Sequence, residues 1–199
     1  MLSRSFLLLL AALALAACAQ KARVTQMSTD VVAAYRIAAS PEMQGAFRLG
    51  EVTGGEVTYP FWMSKVGTPE FAQALEHSFH VNGLLAPTAD AATYRVDADL
   101  SKLDQPLMGA DFTVTSTVLY RVVEIATETP YFKKSVTVSY TASFSDSVFG
   151  ATRLQFANEG AIRLNIETFI KKLVTFWESN PPPPKVAPGA VTTSPLLTE

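Results

Sequence analysis

The sequence predicts an α+β fold, a two-layer sandwich in which an antiparallel sheet carries two helices packed on one face. Two observations lead there. Three successive stretches alternate apolar and polar side chains with period two, the mark of half-buried strands joined as a meander. Two other stretches, one upstream and one downstream, repeat apolar residues at steps of three and four, the mark of helices with one inward stripe. The predicted order is therefore β-α-β-β-β-α. A chain of 199 residues, 48% hydrophobic and 17% charged, is large enough for one such core. The expected division is 1–17 an N-terminal leader, 18–41 a linker, 42–178 the α+β domain, and 179–199 a proline-rich tail.

The first strand lies in "GAFRLGEVTGGEVTYPFW", where alternation runs near Ala46 to Thr53 and a possible second arm runs from Glu56 to Trp62. Gly54-Gly55 supplies the backbone freedom of a turn or bulge between them. The pair is no phosphate loop, because no lysine followed by serine or threonine comes directly after it. In "GTPEFAQALEHSFHVNGLLAP", Thr68 is placed to cap a helix, Pro69 suits its first position, and Gly83 suits the left-handed residue that ends it. Phe71, Leu75, Ser78, Phe79 and Asn82 form its inward stripe. His77 and His80 share a side of that helix beside Glu76, but a metal centre needs further converging ligands, and the chain has only 2 histidines. They are expected on the surface.

The meander follows. Tyr94, Val96, Ala98 and Leu100 face one way in "TYRVDADLSKL", against Arg95, Asp97 and Asp99. In "FTVTSTVLYRVV", Phe112, Val114, Ser116, Val118, Tyr120 and Val122 oppose Thr113, Thr115 and Thr117, and in "SVTVSYTASFS", Val136, Val138, Tyr140, Ala142 and Phe144 oppose Ser135, Thr137, Ser139, Thr141 and Ser143. The sheet thus has one greasy face and one rich in hydroxyls. Asp97 and Asp99 share a side, yet acid/base catalysis also requires a pocket and a shifted pKa, so a solvated strand face is the expectation. The segments "DQPLMGAD" and "ATETP" read as turns.

The second helix lies in "ATRLQFANEGAIRLNIETFIKKLVTFW". Thr152 with Gln155 three later matches a capping box, and Ile162, Ile166, Phe169, Leu173 and Phe176 trace the apolar stripe. Glu159, Arg163, Glu167 and Lys171 climb another side as i,i+4 neighbours, expected to face water. Asn158 and Asn165 lie close to the stripe and are expected to be satisfied internally. Beyond it, "SNPPPPKVAPGAVTTSPLLTE" has composition suited to an extended, disordered tail. On the N-terminal side, a short helical or extended piece is expected around Val31 to Ile37.

The chain opens "MLSRSFLLLLAALALAAC". A basic residue, an apolar run of about ten and small residues make the layout of an export signal, too short to span a bilayer. It ends on the only cysteine in the sequence, Cys18. Leu15-Ala16-Ala17-Cys18 resembles the lipobox of bacterial lipoproteins, which implies cleavage before Cys18 and acylation of that residue. A half-cystine would need a second cysteine. Ala19, where enterobacterial inner-membrane lipoproteins carry aspartate, favours the outer membrane. The stretches "EVTGGEVTYPFWMSKV", "FAQALEHSFHVNGLLA", "YRVDADLSKLDQPLMGADFTVTSTVLYRVVE" and "RLQFANEGAIRLNIETFI" resemble uncharacterised proteobacterial lipoproteins, and the element order resembles that of lipopolysaccharide-assembly and ABC-transport auxiliary lipoproteins. These resemblances imply a fold and a compartment, and supply no catalytic residues.

The net charge of −2, becoming 15 − 18 = −3 once residues 1–17 and Arg4 are removed, provides no basic field for nucleic acid. No nucleophile elbow, metal triad or Ser-x-x-Lys motif occurs. No cofactor, metal site or catalytic residue is expected. The expected role is a membrane-anchored, periplasm-facing binding component with an envelope protein or lipid as partner, the alternative being a lipid-anchored enzyme with an unrecognised site. The candidate docking surface is the sheet face bearing Thr113, Thr115, Thr117, Thr137, Ser139 and Thr141.

Overall fold

In the computed structural model, the described residues are 20–29, 39–56 and 65–182. Cys18, the signal segment, the piece expected at Val31 to Ile37, residues 57–62 of the expected second arm, and the tail from Pro183 onward lie outside them. Within them the chain forms helix α1 (Val24–Met27), strand β1 (Phe47–Thr53), helix α2 (Thr68–Val81), strands β2 (Tyr94–Asp104), β3 (Phe112–Glu124) and β4 (Thr129–Ala142), and helix α3 (Gly150–Ser179).

The sheet order is β1-β2-β3-β4. β2, β3 and β4 pair antiparallel, as the short turns between them require. β1 pairs with β2 in parallel, which corrects the expectation of a wholly antiparallel sheet. The reason lies in the connection. α2 carries the chain back along the sheet before β2 begins, and a crossover helix returns a strand in the same direction, whereas a tight turn reverses it. Alternation within β1 looks the same in either case.

Both longer helices cover one face. Phe47 of β1 meets Phe79 of α2 edge-on at 5.8 Å and Trp177 of α3 at 5.8 Å, and Tyr120 of β3 stacks on Phe169 of α3 at 3.8 Å and 3°. The inner row of β3 reaches the core as predicted, Ser116 included, and all its members are buried. Asn165 justifies its place beside the stripe. It accepts from the Tyr120 hydroxyl at 3.0 Å and donates to Ser116 O, Ser116 Oγ and Val136 O at 3.0 to 3.2 Å. Asn158 accepts from Gln105 Nε2 at 2.7 Å.

Four local expectations are corrected. The residue that caps α2 is Gly67, and Thr68 is the first helical residue, its Oγ1 accepting from Gly55 N–H at 3.0 Å. α3 starts at Gly150 with no side-chain cap, so Thr152 is already inside it, and Gln155 is buried and donates to Lys21 O and to Glu159. Glu159, read as part of a solvated ladder, is 3% exposed. Phe144, read as part of the inner row, lies beyond the end of β4 and is 54% exposed.

The segment upstream of the sheet is packed rather than free. Ala22 and Met27 belong to the core. Arg23 clasps Glu159 three ways, through backbone N–H at 2.8 Å, Nε at 3.0 Å and a terminal guanidinium nitrogen at 2.9 Å. Thr29 N–H donates to Ser78 Oγ at 3.0 Å, and Asn82 Nδ2 donates to Thr29 Oγ1 at 3.3 Å. Residues 20–29 thereby bridge α2 and α3.

Candidate docking face

With both longer helices on the greasy side, the opposite face of the sheet carries the hydroxyls. Register sets the candidate residues directly across from one another, Thr113 against Thr141, Thr115 against Ser139, and Thr117 against Thr137. Each pair is joined hydroxyl to hydroxyl, at 2.8, 2.8 and 3.0 Å. Thr113, Thr137, Ser139 and Thr141 are exposed, and Thr115 and Thr117 are half-buried. Such ladders arise because Thr has few rotamers on a pleated surface and cross-strand neighbours come within hydrogen-bond reach. The result is a flat strip of short side chains already ordered, which loses little conformational entropy when covered.

Beside this strip, on the β1 and β2 side, the face turns charged. Asp97 Oδ1 accepts from Glu51 N–H at 3.0 Å and pairs with Arg95 at 3.2 Å, while Asp99 Oδ1 accepts from Thr53 Oγ1 at 2.9 Å. Both carboxylates therefore fasten β1 across the irregularity between Leu49 and Val52, and neither is simply solvated. Gly50 is needed there. A Cβ on it would come within 2.1 Å of Asp97 Oδ1. Arg95 also reaches Glu128 in a two-pronged pair at 3.1 Å, and these acids hold its guanidinium above its ordinary pKa, the Glu128 hydrogen bond most of all.

A depression of about 130 Å³ lined by Glu51, Thr53, Asp97, Asp99, Leu119 and Arg121 opens on this side. It is smaller than the roughly 300 to 1,000 Å³ typical of small-molecule sites. Its carboxylates already hold backbone and side-chain donors, so the arrangement suits surface recognition better than proton transfer. His77 and His80 are both exposed, and the described residues contain no group of three or more His, Cys, Asp or Glu placed to hold a metal. No described helix is long and apolar enough to cross a membrane.

One feature of this end of the molecule escaped the reading of the sequence. Leu107, Met108, Phe144, Val148 and Phe149 are 84%, 84%, 54%, 66% and 43% exposed. Leu107 and Met108 fall in a segment that reads as a turn, Phe144 in a run that reads as strand, and Val148 and Phe149 in the short stretch before α3. The signal available was the presence of large apolar side chains within the first and last of these segments.

No protein-family model and no curated protein sequence matches the chain. Solved structures do match in fold. Protein XCC0632 from Xanthomonas campestris, of family DUF330, aligns with a TM-score of 0.50 and 12% identity over 71% of this chain and 92% of its own. Protein CT253 from Chlamydia trachomatis aligns with a TM-score of 0.47 and 11% identity over 69% of this chain and 99% of its own. A candidate lipoprotein from Caulobacter crescentus aligns with a TM-score of 0.43 and 15% identity over 57% and 84%. At such identities the likeness is one of fold alone, and the Xanthomonas structure is the one that bears on it, sharing the α+β architecture.

Proposed function

We propose that the chain is a lipid-anchored lipoprotein of the bacterial outer membrane, facing the periplasm, that acts by binding and without catalysis as an accessory component of envelope assembly or transport. The observation that carries this reading is Leu15-Ala16-Ala17-Cys18, which closes an apolar run of export-signal length and resembles a lipobox. The resemblance of the element order to lipopolysaccharide-assembly and ABC-transport auxiliary lipoproteins supports the envelope setting. The partner is an envelope protein or lipid, and its docking surface is the ordered hydroxyl strip with the edge of β4, unpaired among the described residues, beside it. An unpaired edge accepts a strand from a partner, and a flat polar face is covered at little entropic cost.

Two measurements test the proposal. Intact mass of the protein from its native membrane is expected to show cleavage before Cys18 plus acyl chains, and a free Cys18 thiol would end the anchored reading. Lysines at Thr115 and Thr137 together are expected to abolish capture of the co-purifying envelope partner while the protein stays folded, the two broken cross-strand hydroxyl pairs costing about 0.5 to 2 kcal/mol in all. Full capture by that variant would remove the face from consideration.

A further inference from the structure

The five exposed apolar residues share one end of the molecule with the start of the described chain at Gln20 and Lys21. Topology places them there. β2 runs toward this end and β3 away from it, so the 105–111 turn caps it; β4 runs toward it and α3 away from it, so the 143–149 turn caps it as well. β1 is parallel to β2, so α2 also starts here. Among the described residues, every large hydrophobic side chain that is strongly exposed lies in these two turns. The β3–β4 turn at the opposite end contributes none of them.

The two turns form one surface. Arg153, only 5% exposed, donates to Ser147 O of one turn at 2.5 Å and to Gly109 O of the other at 3.2 Å, and its guanidinium lies 4.9 Å from the Phe112 ring and 5.2 Å from the Phe144 ring. Asp111 Oδ1 accepts from Phe144 N–H at 2.9 Å, and Asp146 Oδ2 accepts from Ser143 N–H at 2.7 Å and from Ser143 Oγ at 3.1 Å. The nearby acids are thus turned onto backbone and hydroxyl donors.

The described N-terminal segment starts at the same end. Lys21 pairs with Glu70 in the first turn of α2 at 2.6 Å, its carbonyl accepts from Gln155 at 3.1 Å, and Arg23 is held by Glu159. Gln155 is six residues beyond Phe149, about 9 Å along the α3 axis. Cys18 stands two residues before Gln20, a span of at most about 7 Å. A lipid on Cys18 therefore leaves no long leash between the bilayer and this end of the domain.

We propose that Leu107, Met108, Phe144, Val148 and Phe149 form a second membrane contact, entering the interfacial layer of the bilayer that holds the Cys18 lipid. This rests on the anchored reading above. Apolar and aromatic side chains on two clamped turns suit that layer, where aromatic rings are enriched and burial of apolar area is favourable. A single short-leashed lipid leaves the domain free to tilt. Adding this patch fixes which end faces the membrane and leaves the hydroxyl strip running up from the surface toward the periplasm.

The test uses the full-length lipidated protein, purified and reconstituted in vesicles of phosphatidylethanolamine with a minority of phosphatidylglycerol. A polarity-sensitive thiol dye is placed at Met108→Cys, at Val148→Cys and, as a control on the opposite end, at the exposed Ala126→Cys. The first two positions are expected to shift to the blue and to be quenched several-fold by lipids carrying a nitroxide near the headgroup, with Ala126→Cys unaffected. Intact mass of each preparation reads the Cys18 lipid independently. Lipid present without quenching at 108 and 148 overturns the membrane contact and leaves the anchor standing. A blue shift without lipid quenching assigns the patch to contact with a second copy of this chain and overturns it too. Absence of the lipid itself overturns the anchored reading and, with it, this one.

Discussion

The clasp between Arg23 and Glu159 is what turns the expected linker into part of the domain, and its removal gives a graded outcome. Glu159 has a side chain 4% exposed and accepts four hydrogen bonds, three from Arg23 and one from Gln155 at 3.0 Å. Arg23 is half-exposed at 50%, so its guanidinium regains water when released. Arg23→Ala removes two charge-assisted bonds but leaves the carboxylate its two neutral donors, for an expected loss of about 2 kcal/mol after discounting for that exposure. Glu159→Ala strands the Arg23 N–H and part of Gln155 in a closed space and leaves a void, for about 3 to 4 kcal/mol. Because both variants break the same contact, the double variant is expected to fall short of additivity by about 1 to 2 kcal/mol. Urea denaturation of the four proteins measures these values. Trypsin supplies a local readout: cleavage after Lys21 and Arg23 should be slow in the parent and faster in Glu159→Ala, because freeing the segment lowers its local opening energy. Additive losses, or equal rates of cleavage after Lys21 in all four, would refute the claim that residues 20–29 are fastened by this pair.

Two further outcomes follow from the core. A Cβ on Gly160 would stand 2.3 Å from the Tyr140 ring, so Gly160→Ala is expected to destabilise by about 1 to 2 kcal/mol, overpacking outweighing the roughly 1 kcal/mol that alanine adds to helix propensity; a melting temperature that rises would show that α3 and β4 separate freely. Burial pushes the Tyr120 phenol well above its ordinary value, and burial with the neighbouring Tyr94 pushes Tyr131 to about 12. Their native pKa values lie above the unfolded one, so this stability is complete below pH about 10 and is lost as pH rises from there. Tyr120→Phe is expected to give a shallower alkaline decline in melting temperature than the parent, and an unchanged slope would assign the loss to other groups.

What the sequence made legible is what local periodicity encodes. β2, β3 and β4 each display on one face the residues that their alternation assigns to it, and the Thr and Ser pairs oppose one another because short turns set the register. Asn165, a polar residue next to an apolar stripe, was correctly expected to find partners inside. The direction of β1 was hidden because a strand looks alike in parallel and antiparallel pairing, and only the crossover decides. Glu159 illustrates a different blindness. Four residues before Arg163, it has the spacing of a surface ladder, yet its partner Arg23 is 136 residues away and no local pattern announces it. Phe144 continued the alternation of β4, but Asp111 and Asp146 capture the backbone N–H groups of Phe144 and Ser143, and the chain turns there.

That last substitution of side-chain acceptors for a ladder links structure to the proposed role. Had β4 continued, Phe144 would have joined the inner row, and α3 would have needed a longer connection to start where it does. Ending the strand at Ala142 moves a large aromatic from core to surface, where its burial is forfeited in the isolated domain. Leu107, Met108, Val148 and Phe149 repeat that loss beside it, and a soluble monomer gains nothing from five such exposures on two turns tied by one arginine. The loss is recovered only if something apolar meets this end. Under the proposed anchoring, the short span from Gln20 to Cys18 would bring a bilayer to the same place, and the clasp at Glu159, the clamp at Arg153 and the exposed turns would act as parts of one device that orients the hydroxyl strip toward the proposed partner.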